Sequence, residues 1–337
     1  MLDPSINNPL PDPESYALGR CLQVGVLTNP RSGGNKKGGR GISNVLAAWP
    51  NVMQREAVTP DDVAGAMADF ARNGVELIVI NGGDGTAQAA LTAIGNDEIF
   101  LRPPLLSLLC AGTTSMLPRD VGIAGSPASA LQRALVWGNS PDTSLTVCSR
   151  PILRVERTSE LPLFGMFFGT GAICQGIRIF HSKDNPMGRR GQLMPTITML
   201  RLLLAILSKD HDQVPPFLAR TSLDGRPVQK SENLFVLIST LERLFLGMRP
   251  YWGKEDGPLR YTAVTTEPKC LLRVLVSLFR PRMSRHATPA NGYISHNLQS
   301  VQIDMAGDFT LDGELYAAGE GPVSLTPAGP VNFLCTR

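Results

Sequence analysis

The first part of the chain alternates short apolar runs with segments of helical periodicity. The predicted strands are residues 22–28, 52–58, 75–80 and 105–109, and the predicted helices are 42–49, 59–73 and two that begin at Thr86 and Ser126. The run 75–80 (VELIVI) is nearly all apolar, which is typical of a strand buried on both faces of a parallel sheet. Thr59 is followed by Pro60 and two aspartates, the usual start of a helix. This alternation predicts an open α/β sheet with right-handed crossovers.

After Ser144 the pattern changes to strand-like runs separated by turn residues. The predicted strands are 145–155, 163–173, 217–223, 233–240, 259–265 and 298–305, and two helical stretches, 193–207 and 270–279, interrupt them. Asp224 and Gly225 are predicted to form a hairpin turn. We therefore predict a loose leader at 1–20, an α/β domain at 21–144 and a mostly antiparallel domain at 145–337, whose last strand could return to the first domain.

Composition narrows the function classes. The 337 residues carry a formal charge of +3, so no global field recruits nucleic acid, and 18% charged residues is below the roughly 25% of an average domain. The six cysteines form no CxxC pair, which argues against zinc or a disulfide scaffold and favours a reducing cytoplasm. The apolar stretch 193–207 contains Pro195 and Arg201 and is shorter than the roughly 18 residues of a spanning helix.

The segment Gly82-Gly83-Asp84-Gly85-Thr86 lies between a predicted strand and a predicted helix. Its glycines allow backbone N–H groups to approach a ligand, and the helix start favours an anion. A bare phosphate would be repelled by Asp84, whereas a phosphate carrying Mg²⁺ would suit it. An ordinary glycine turn is the alternative interpretation.

Two further loops follow predicted parallel strands. One runs from Asn29 to Gly39 and begins Asn29-Pro30-Arg31-Ser32-Gly33, and the other runs from Ala111 to Ser115 and contains Gly112 and Thr113. Neither a Walker A loop nor GxGxxG occurs, so both standard nucleotide fingerprints are absent. Each loop alone could be a plain turn, but three at the carboxyl ends of strands predict a nucleotide cleft.

The order and spacing of these loops resembles the diacylglycerol kinase catalytic family, which includes sphingosine and ceramide kinases and bacterial soluble lipid kinases. Asp256-Gly257-Pro258-Leu259 and Leu311-Asp312-Gly313-Glu314 resemble its later motifs. The resemblance implies a phosphofructokinase-like α/β domain, a β-sandwich-like second domain and ATP-dependent phosphorylation of a lipid hydroxyl. Gly-Gly-Asp-Gly-Thr alone is shared with NAD kinases, so a soluble kinase of that kind is an alternative, and a non-catalytic nucleotide- or lipid-binding regulator is another.

The resemblance also implies roles for individual residues. The nucleotide would be bound by Asn29, Pro30, Arg31, Ser32, Gly33, Thr59, Gly82, Gly83, Asp84, Gly85, Thr86, Ala87, Gln88, Gly112 and Thr113. Asp84 would face Mg²⁺–ATP, and Asp256 would hold a structural Mg²⁺. Asp312 and Glu314 match carboxylates that deprotonate the acceptor hydroxyl and orient metal or phosphate.

Three positions differ from the family pattern or allow another interpretation of these roles. From spacing alone, Asp312-Gly313 is a hairpin turn between two short strands, and only the family resemblance favours a catalytic role. Ser115 stands where the family usually has asparagine. Pro258 stands where leucine or tyrosine is commoner, which puts the structural metal in doubt.

A basic, amphipathic segment covers residues 269–285, with Lys269, Arg273, Arg280, Arg282 and Arg285 and no acids. Such a helix could lie on an anionic membrane surface, or it could pack on its own domain with a solvated basic end. We expect a cytoplasmic protein, peripheral to the inner face of the membrane. The sequence leaves the oligomeric state open, a homodimer included.

Overall fold

The computed structural model describes residues 21–96, 99–140, 142, 144–181, 212–280 and 282–336. The chain forms two compact units. The first runs to Arg150 and also includes the segment from Gly329 onward, and the second is Pro151–Ala328. The predicted helix at 193–207 lies outside the described residues.

The first unit is built on a parallel sheet with strand order β2-β1-β3-β4 followed by the end of β15. Its strands are β1 (Val24–Thr28), β2 (Met53–Glu56), β3 (Leu77–Asn81) and β4 (Leu105–Leu108). Its helices are α1 (Asn35–Ala47), α2 (Pro60–Arg72), α3 (Asp84–Asn96), α4 (Met116–Val121) and α5 (Pro127–Asn139). All five residues of β3 are buried, as expected for a strand covered on both faces.

The helix start predicted at Thr59 is confirmed in atomic detail. The Thr59 hydroxyl accepts the backbone N–H of Asp62, and the Asp62 carboxylate accepts the N–H of Thr59, a reciprocal capping box. The buried face of α2 carries Val63, Met67 and Phe70. Helix α5 likewise begins after Ser126, as predicted.

The second unit is antiparallel. Its strands are β5 (Thr146–Glu156), β6 (Leu163–Gly165), β7 (Phe167–Gly171), β8 (Phe217–Leu223), β9 (Gln229–Ser239), β10 (Leu259–Thr265), β11 (Tyr293–Leu298), β12 (Val301–Met305), β13 (Asp308–Leu311), β14 (Glu314–Ala317) and β15 (Val323–Cys335). The order is β14-β13-β7-β9-β8-β12-β15, with β10 paired to β9 and β11, and β6 to β5. Strands β5 and β15 each contribute residues to both units. The predicted mixed α/β architecture, parallel first and antiparallel afterwards, is confirmed.

Several predicted boundaries are wrong. The single strand predicted at 163–173 is two strands and the start of α6 (Ala172–His181), because the chain changes partners at Met166: β6 pairs with β5, and β7 pairs with β9 and β13. The run 298–305 begins only at Val301, since the N–H groups of Gln299 and Ser300 bind Asp224 instead of continuing a strand. Helices α1 and α3 start earlier than predicted, at Asn35 and Asp84.

Among the described residues of the second unit, a further helix is α7 (Leu271–Ser277), inside the predicted 270–279 segment. Two 3₁₀ turns, Phe245–Gly247 and Pro289–Asn291, lie on either side of it in the sequence. Within the described part of the chain, none of the helices has both the length and the apolar character needed to cross a bilayer.

Candidate functional site

Three loops meet at the carboxyl edge of the parallel sheet in the first unit. Loop 1 (residues 29–34) follows β1, loop 2 (82–83) joins β3 to α3, and loop 3 (109–115) joins β4 to α4. The Gly34 N–H donates to the Ala111 carbonyl at 2.8 Å, which ties loop 1 to loop 3. A Cβ added at Gly112 would lie 2.9 Å from the Gly83 Cα, so loops 2 and 3 are in backbone contact. The structure therefore brings the three predicted loops into one place.

Asparagine side chains hold loop 1 in position. Asn29 Nδ2 donates to Thr86 Oγ1 at 3.0 Å, and Asn29 Oδ1 accepts the N–H of Arg31 at 2.9 Å. Asn35 Nδ2 donates to the carbonyls of Asn29 and Asn81, at 2.8 and 3.1 Å. These bonds fix the start of loop 1 against the end of β3 and the first turn of α3.

Loop 2 has the space and polarity of an anion cradle. A Cβ at Gly83 would meet only the Gly112 Cα at 3.5 Å and Ser32 Oγ at 3.9 Å, which are ordinary contacts. The backbone turns directly into α3, whose first N–H groups favour negative charge. A phosphate group at this point would meet backbone donors and the Ser32 hydroxyl.

Asp84, the first residue of α3 directly after loop 2, binds the start of α4. It is 6% exposed, and its Oδ2 accepts Thr114 Oγ1 at 2.8 Å and the Met116 N–H at 3.0 Å, while Oδ1 accepts the Leu117 N–H at 3.1 Å. Burial raises the pKa of Asp84, and the bonds from Met116, Thr114 and Leu117 oppose that rise. The carboxylate thus caps α4 and ties α3 to loop 3.

The other predicted nucleotide residues of α2 and α3 are already engaged within the fold. Thr86, Ala87 and Gln88 are buried in the first turns of α3, where Gln88 Nε2 donates to Thr92 Oγ1 at 2.9 Å. Thr59 is exposed at the N-cap of α2. Thr113 is close to loop 1, since a Cβ at Gly33 would lie 2.9 Å from its Oγ1.

Ser115 occupies a backbone conformation that few residues adopt. Its φ of 47° and ψ of 48° are left-handed, and its hydroxyl donates to the Gly112 carbonyl at 3.1 Å. Asparagine adopts this region more readily than serine does. Ser115 therefore holds a backbone conformation that suits asparagine better than serine.

Asp312 lies in the second unit, in the two-residue turn between β13 and β14. Asp312 and Gly313 have φ of 49° and 95°, and Leu311 pairs with Glu314 across the turn. The Asp312 side chain is 2% exposed, with Oδ2 accepting the Met166 N–H and Oδ1 the Phe167 N–H, both at 2.9 Å. The hairpin turn predicted from the sequence is therefore present. The Asp312 carboxylate in addition binds the start of β7, far away in the sequence. Glu314 is exposed at the start of β14.

Asp256 is exposed just before β10, and its carbonyl accepts Gln299 Nε2 at 3.1 Å. Gly257 is required by close packing, because a Cβ there would lie 2.4 Å from the Leu298 nitrogen. The neighbouring Glu255 bonds to His296 Nδ1 at 2.6 Å. Over the described residues, no group of three or more His, Cys, Asp or Glu side chains could hold a metal ion.

Sequence analysis assigned no individual role to Asn35, Asn81 and Thr114, which lie in or beside the three loops. Asn81 is 1% exposed, and neither amide atom has a hydrogen-bond partner among the described residues. With Thr28, Asn35 and Glu56 it lines a cavity of about 570 Å³ beside α1. The signal that could have identified it is its position, directly before Gly82.

The chain is similar to known proteins in part of its sequence and in its fold. Residues 23–145 match the family model of the diacylglycerol kinase catalytic domain. No curated protein matches the chain. Among solved structures, a candidate diacylglycerol kinase from Bacillus anthracis has a TM-score of 0.66 at 18% identity, covering 93% of this chain and 96% of the other. A second diacylglycerol kinase structure from Bacillus anthracis has a TM-score of 0.60 at 17% identity, with the same coverage.

These findings agree with the recognised resemblance and the fold. An NAD kinase from Archaeoglobus fulgidus is also similar, with a TM-score of 0.45 at 12% identity over 92% of both chains, which is too distant to bear on function. All three loops lie inside the segment 23–145 that matches the diacylglycerol kinase catalytic-domain model.

Proposed function

We propose that this protein transfers the γ-phosphoryl group of ATP to the hydroxyl of a diacylglycerol-like lipid, giving a phosphatidic-acid-like product. The observation that carries the proposal is the meeting of three loops at the carboxyl edge of the parallel sheet, inside the segment that matches a lipid kinase catalytic domain. An NAD-kinase-like activity and a non-catalytic binding role are the alternatives.

In this proposal the three loops bind the triphosphate. Loop 1 supplies the Ser32 hydroxyl, loop 2 supplies the space at Gly83, and α3 supplies the positive end of its dipole. Phosphoryl transfer needs mainly positioning and charge stabilisation, so a rigid cradle of backbone donors is a suitable catalyst.

Magnesium is proposed to accompany ATP. Protein-bound Mg²⁺–nucleotide needs only one or two carboxylates, since phosphates and water complete the shell. Asp84 Oδ2 accepts two hydrogen bonds and Oδ1 accepts one, so Oδ1 retains a lone pair for this purpose. When bound, the ion would neutralise negative charge on the phosphate oxygens. Asp256 is proposed for a separate structural Mg²⁺.

The acceptor hydroxyl requires a base, and Asp312 and Glu314 are the proposed carboxylates. Asp312 is buried and its two oxygens already accept N–H groups, whereas Glu314 is exposed. Because diacylglycerol resides in membranes, the protein is proposed to be cytoplasmic and to act peripherally at the inner face.

The experiment is a transfer assay with γ-labelled ATP, with and without Mg²⁺, offering diacylglycerol micelles, a sphingoid base and NAD separately. We expect Mg²⁺-dependent label in the diacylglycerol product. Label on NAD would establish the first alternative, and ATP binding without transfer would establish the second.

A glycine pair tests the nucleotide site directly. Gly83→Ala should leave thermal stability unchanged but weaken ATP binding about tenfold, because the methyl group enters the proposed phosphate space. Gly65→Ala, in α2 with nothing within 4 Å, is the matched control. Unchanged ATP affinity in Gly83→Ala would place the phosphates elsewhere.

A further inference from the structure

Helix α7 presents an apolar stripe to solvent. Leu272 and Val276, one helical turn apart, are 61% and 53% exposed on one side of α7, and Phe279, two residues after its end, is 55% exposed; these three residues are called the α7 stripe. The opposite side is packed, with Val274 only 4% exposed and Leu271 against the same core cluster. The exposed stripe is therefore not the helix's folding face.

Three arginines surround a cavity beside this helix. Arg249, Arg260 and Arg280 line a space of about 340 Å³ together with Tyr251, Ser277 and Glu242, so the charged lining is three guanidinium groups against one carboxylate. Among the described residues, no ion pair includes any of these three arginines.

The fold holds this cluster in place. Arg260 Nη1 donates to the Leu241 carbonyl at 3.0 Å, and its guanidinium lies 5.3 Å from the centre of the Tyr251 ring. The Arg249 N–H donates to the Leu278 carbonyl at 2.8 Å, which attaches its loop to the end of α7. Guanidinium groups without carboxylate partners are common receptors for phosphate oxygens.

The cavity is continuous with the apolar stripe. A neighbouring groove of about 520 Å³ shares Ser277, Arg280 and Met283 with it and adds Leu272, Val276 and Arg282. Cationic side chains thus lie directly beside exposed apolar ones. A soluble phosphate would use only the first set, whereas a phospholipid in a bilayer would use both.

We propose that this surface is a docking site for an anionic phospholipid bilayer, with the arginine cavity receiving a headgroup phosphate and the α7 stripe entering the acyl boundary. The role of this docking site, bringing a lipid kinase to its acceptor, rests on the proposed function. Vesicle binding is measured without ATP or turnover, so the docking site and the kinase activity can fail separately.

The test is sedimentation of the full chain with vesicles of phosphatidylcholine alone or with added phosphatidylglycerol. Binding should require phosphatidylglycerol and fall with salt. Each arginine near an anionic surface contributes about fivefold to binding, so Arg249→Gln/Arg280→Gln should lose about 25-fold. The control Arg102→Gln/Arg226→Gln removes the same charge from exposed sites outside the cavity. It should weaken vesicle binding by less than about fivefold, which is half of the 25-fold effect on a logarithmic scale.

Two further arms separate a bilayer from a soluble anion. Phe279→Ser should weaken vesicle binding and leave stability unchanged, since the ring is exposed. Inorganic phosphate, added at constant ionic strength, should not displace the protein from vesicles. Equal binding to both vesicle types, equal losses in the two arginine pairs, or displacement by inorganic phosphate would each overturn the proposal. Thermal unfolding confirms that each variant is folded, and the salt dependence of the unmodified chain tests the proposal without any variant.

Discussion

Replacing Asp312 with asparagine separates a structural from a catalytic carboxylate. Each oxygen of Asp312 accepts one buried backbone N–H, from Met166 and from Phe167. Asparagine keeps one acceptor oxygen but turns an amide NH₂ towards the other N–H, which then has no acceptor. Leaving one buried donor unsatisfied costs about 1–3 kcal/mol. For a domain of this size, that corresponds to a fall in Tm of about 2–12 °C.

The turn itself should not contribute to this loss, because Asn-Gly is as favourable as Asp-Gly where both residues have positive φ. Asp224 provides the matched control. It is also the first of two positive-φ residues in a turn, with φ of 50°, although the loop from β8 to β9 is five residues long; a single oxygen, Oδ1, accepts both N–H groups, from Gln299 and Ser300, at 2.8 Å each. Asp224→Asn can keep both bonds and should change the free energy of unfolding by less than about 0.5 kcal/mol.

Unfolding is followed by circular dichroism, and transfer to lipid is measured well below the Tm of each variant. If Asp312 is the base, the rate per folded molecule should fall by about 10² to 10⁴ in Asp312→Asn. Glu314→Gln, at an exposed position, should then lower the rate by less than Asp312→Asn does. Equal stabilities for Asp312→Asn and Asp224→Asn would refute the hydrogen-bond reasoning, and an active Asp312→Asn would transfer the catalytic role to Glu314.

Three other changes give independent tests. Gly112→Ala should cost about 1–3 kcal/mol of stability, because the new methyl would lie 2.9 Å from the Gly83 Cα; denaturant unfolding measures this, and a neutral result would contradict the loop contact. Asp84→Asn should destabilise by about 1–3 kcal/mol, since one of the two N–H groups of α4 loses its acceptor; a variant with normal Tm and no turnover would instead point to a purely catalytic Asp84. Hydrogen bonds, with His296 first and then with the N–H of Asn297, lower the pKa of Glu255 from 4.5 to about 2, so their contribution to stability is complete above pH 4.5 and is lost as the pH falls towards 2. Glu255→Gln should remove that part of the acid dependence of Tm, and identical profiles for the two proteins would show that the ion pair is not formed.

The local sequence determined much of the first unit. The apolar run that became β3, the capping residues of α2 and α5, and the position of the glycine run between strand and helix all depend on neighbours within a few residues. The Asp224-Gly225 turn was predictable for the same reason, because backbone preferences for positive φ are local.

Boundaries were less predictable where a distant partner ends an element. The apolar run at 163–173 reads as one strand, yet Met166 and Phe167 turn their N–H groups to a carboxylate 145 or more residues away. Helix α6 then starts after Gly171, whose positive φ of 67° ends β7. No local pattern encodes that exchange of partners.

The same distinction applies to the candidate sites. The sequence by itself determined which residues form the three loops, and it identified Asp84 and Asp312 as notable acids. Only the tertiary structure decided what those carboxylates bind, since Asp84 caps a helix that starts 32 residues later and Asp312 binds a strand edge. It also gathered Arg249, Arg260 and Arg280, which no spacing rule connects, around one cavity. The reason is physical: backbone conformation responds mainly to neighbouring residues, whereas the partners of a buried or clustered side chain are set by which segments pack together.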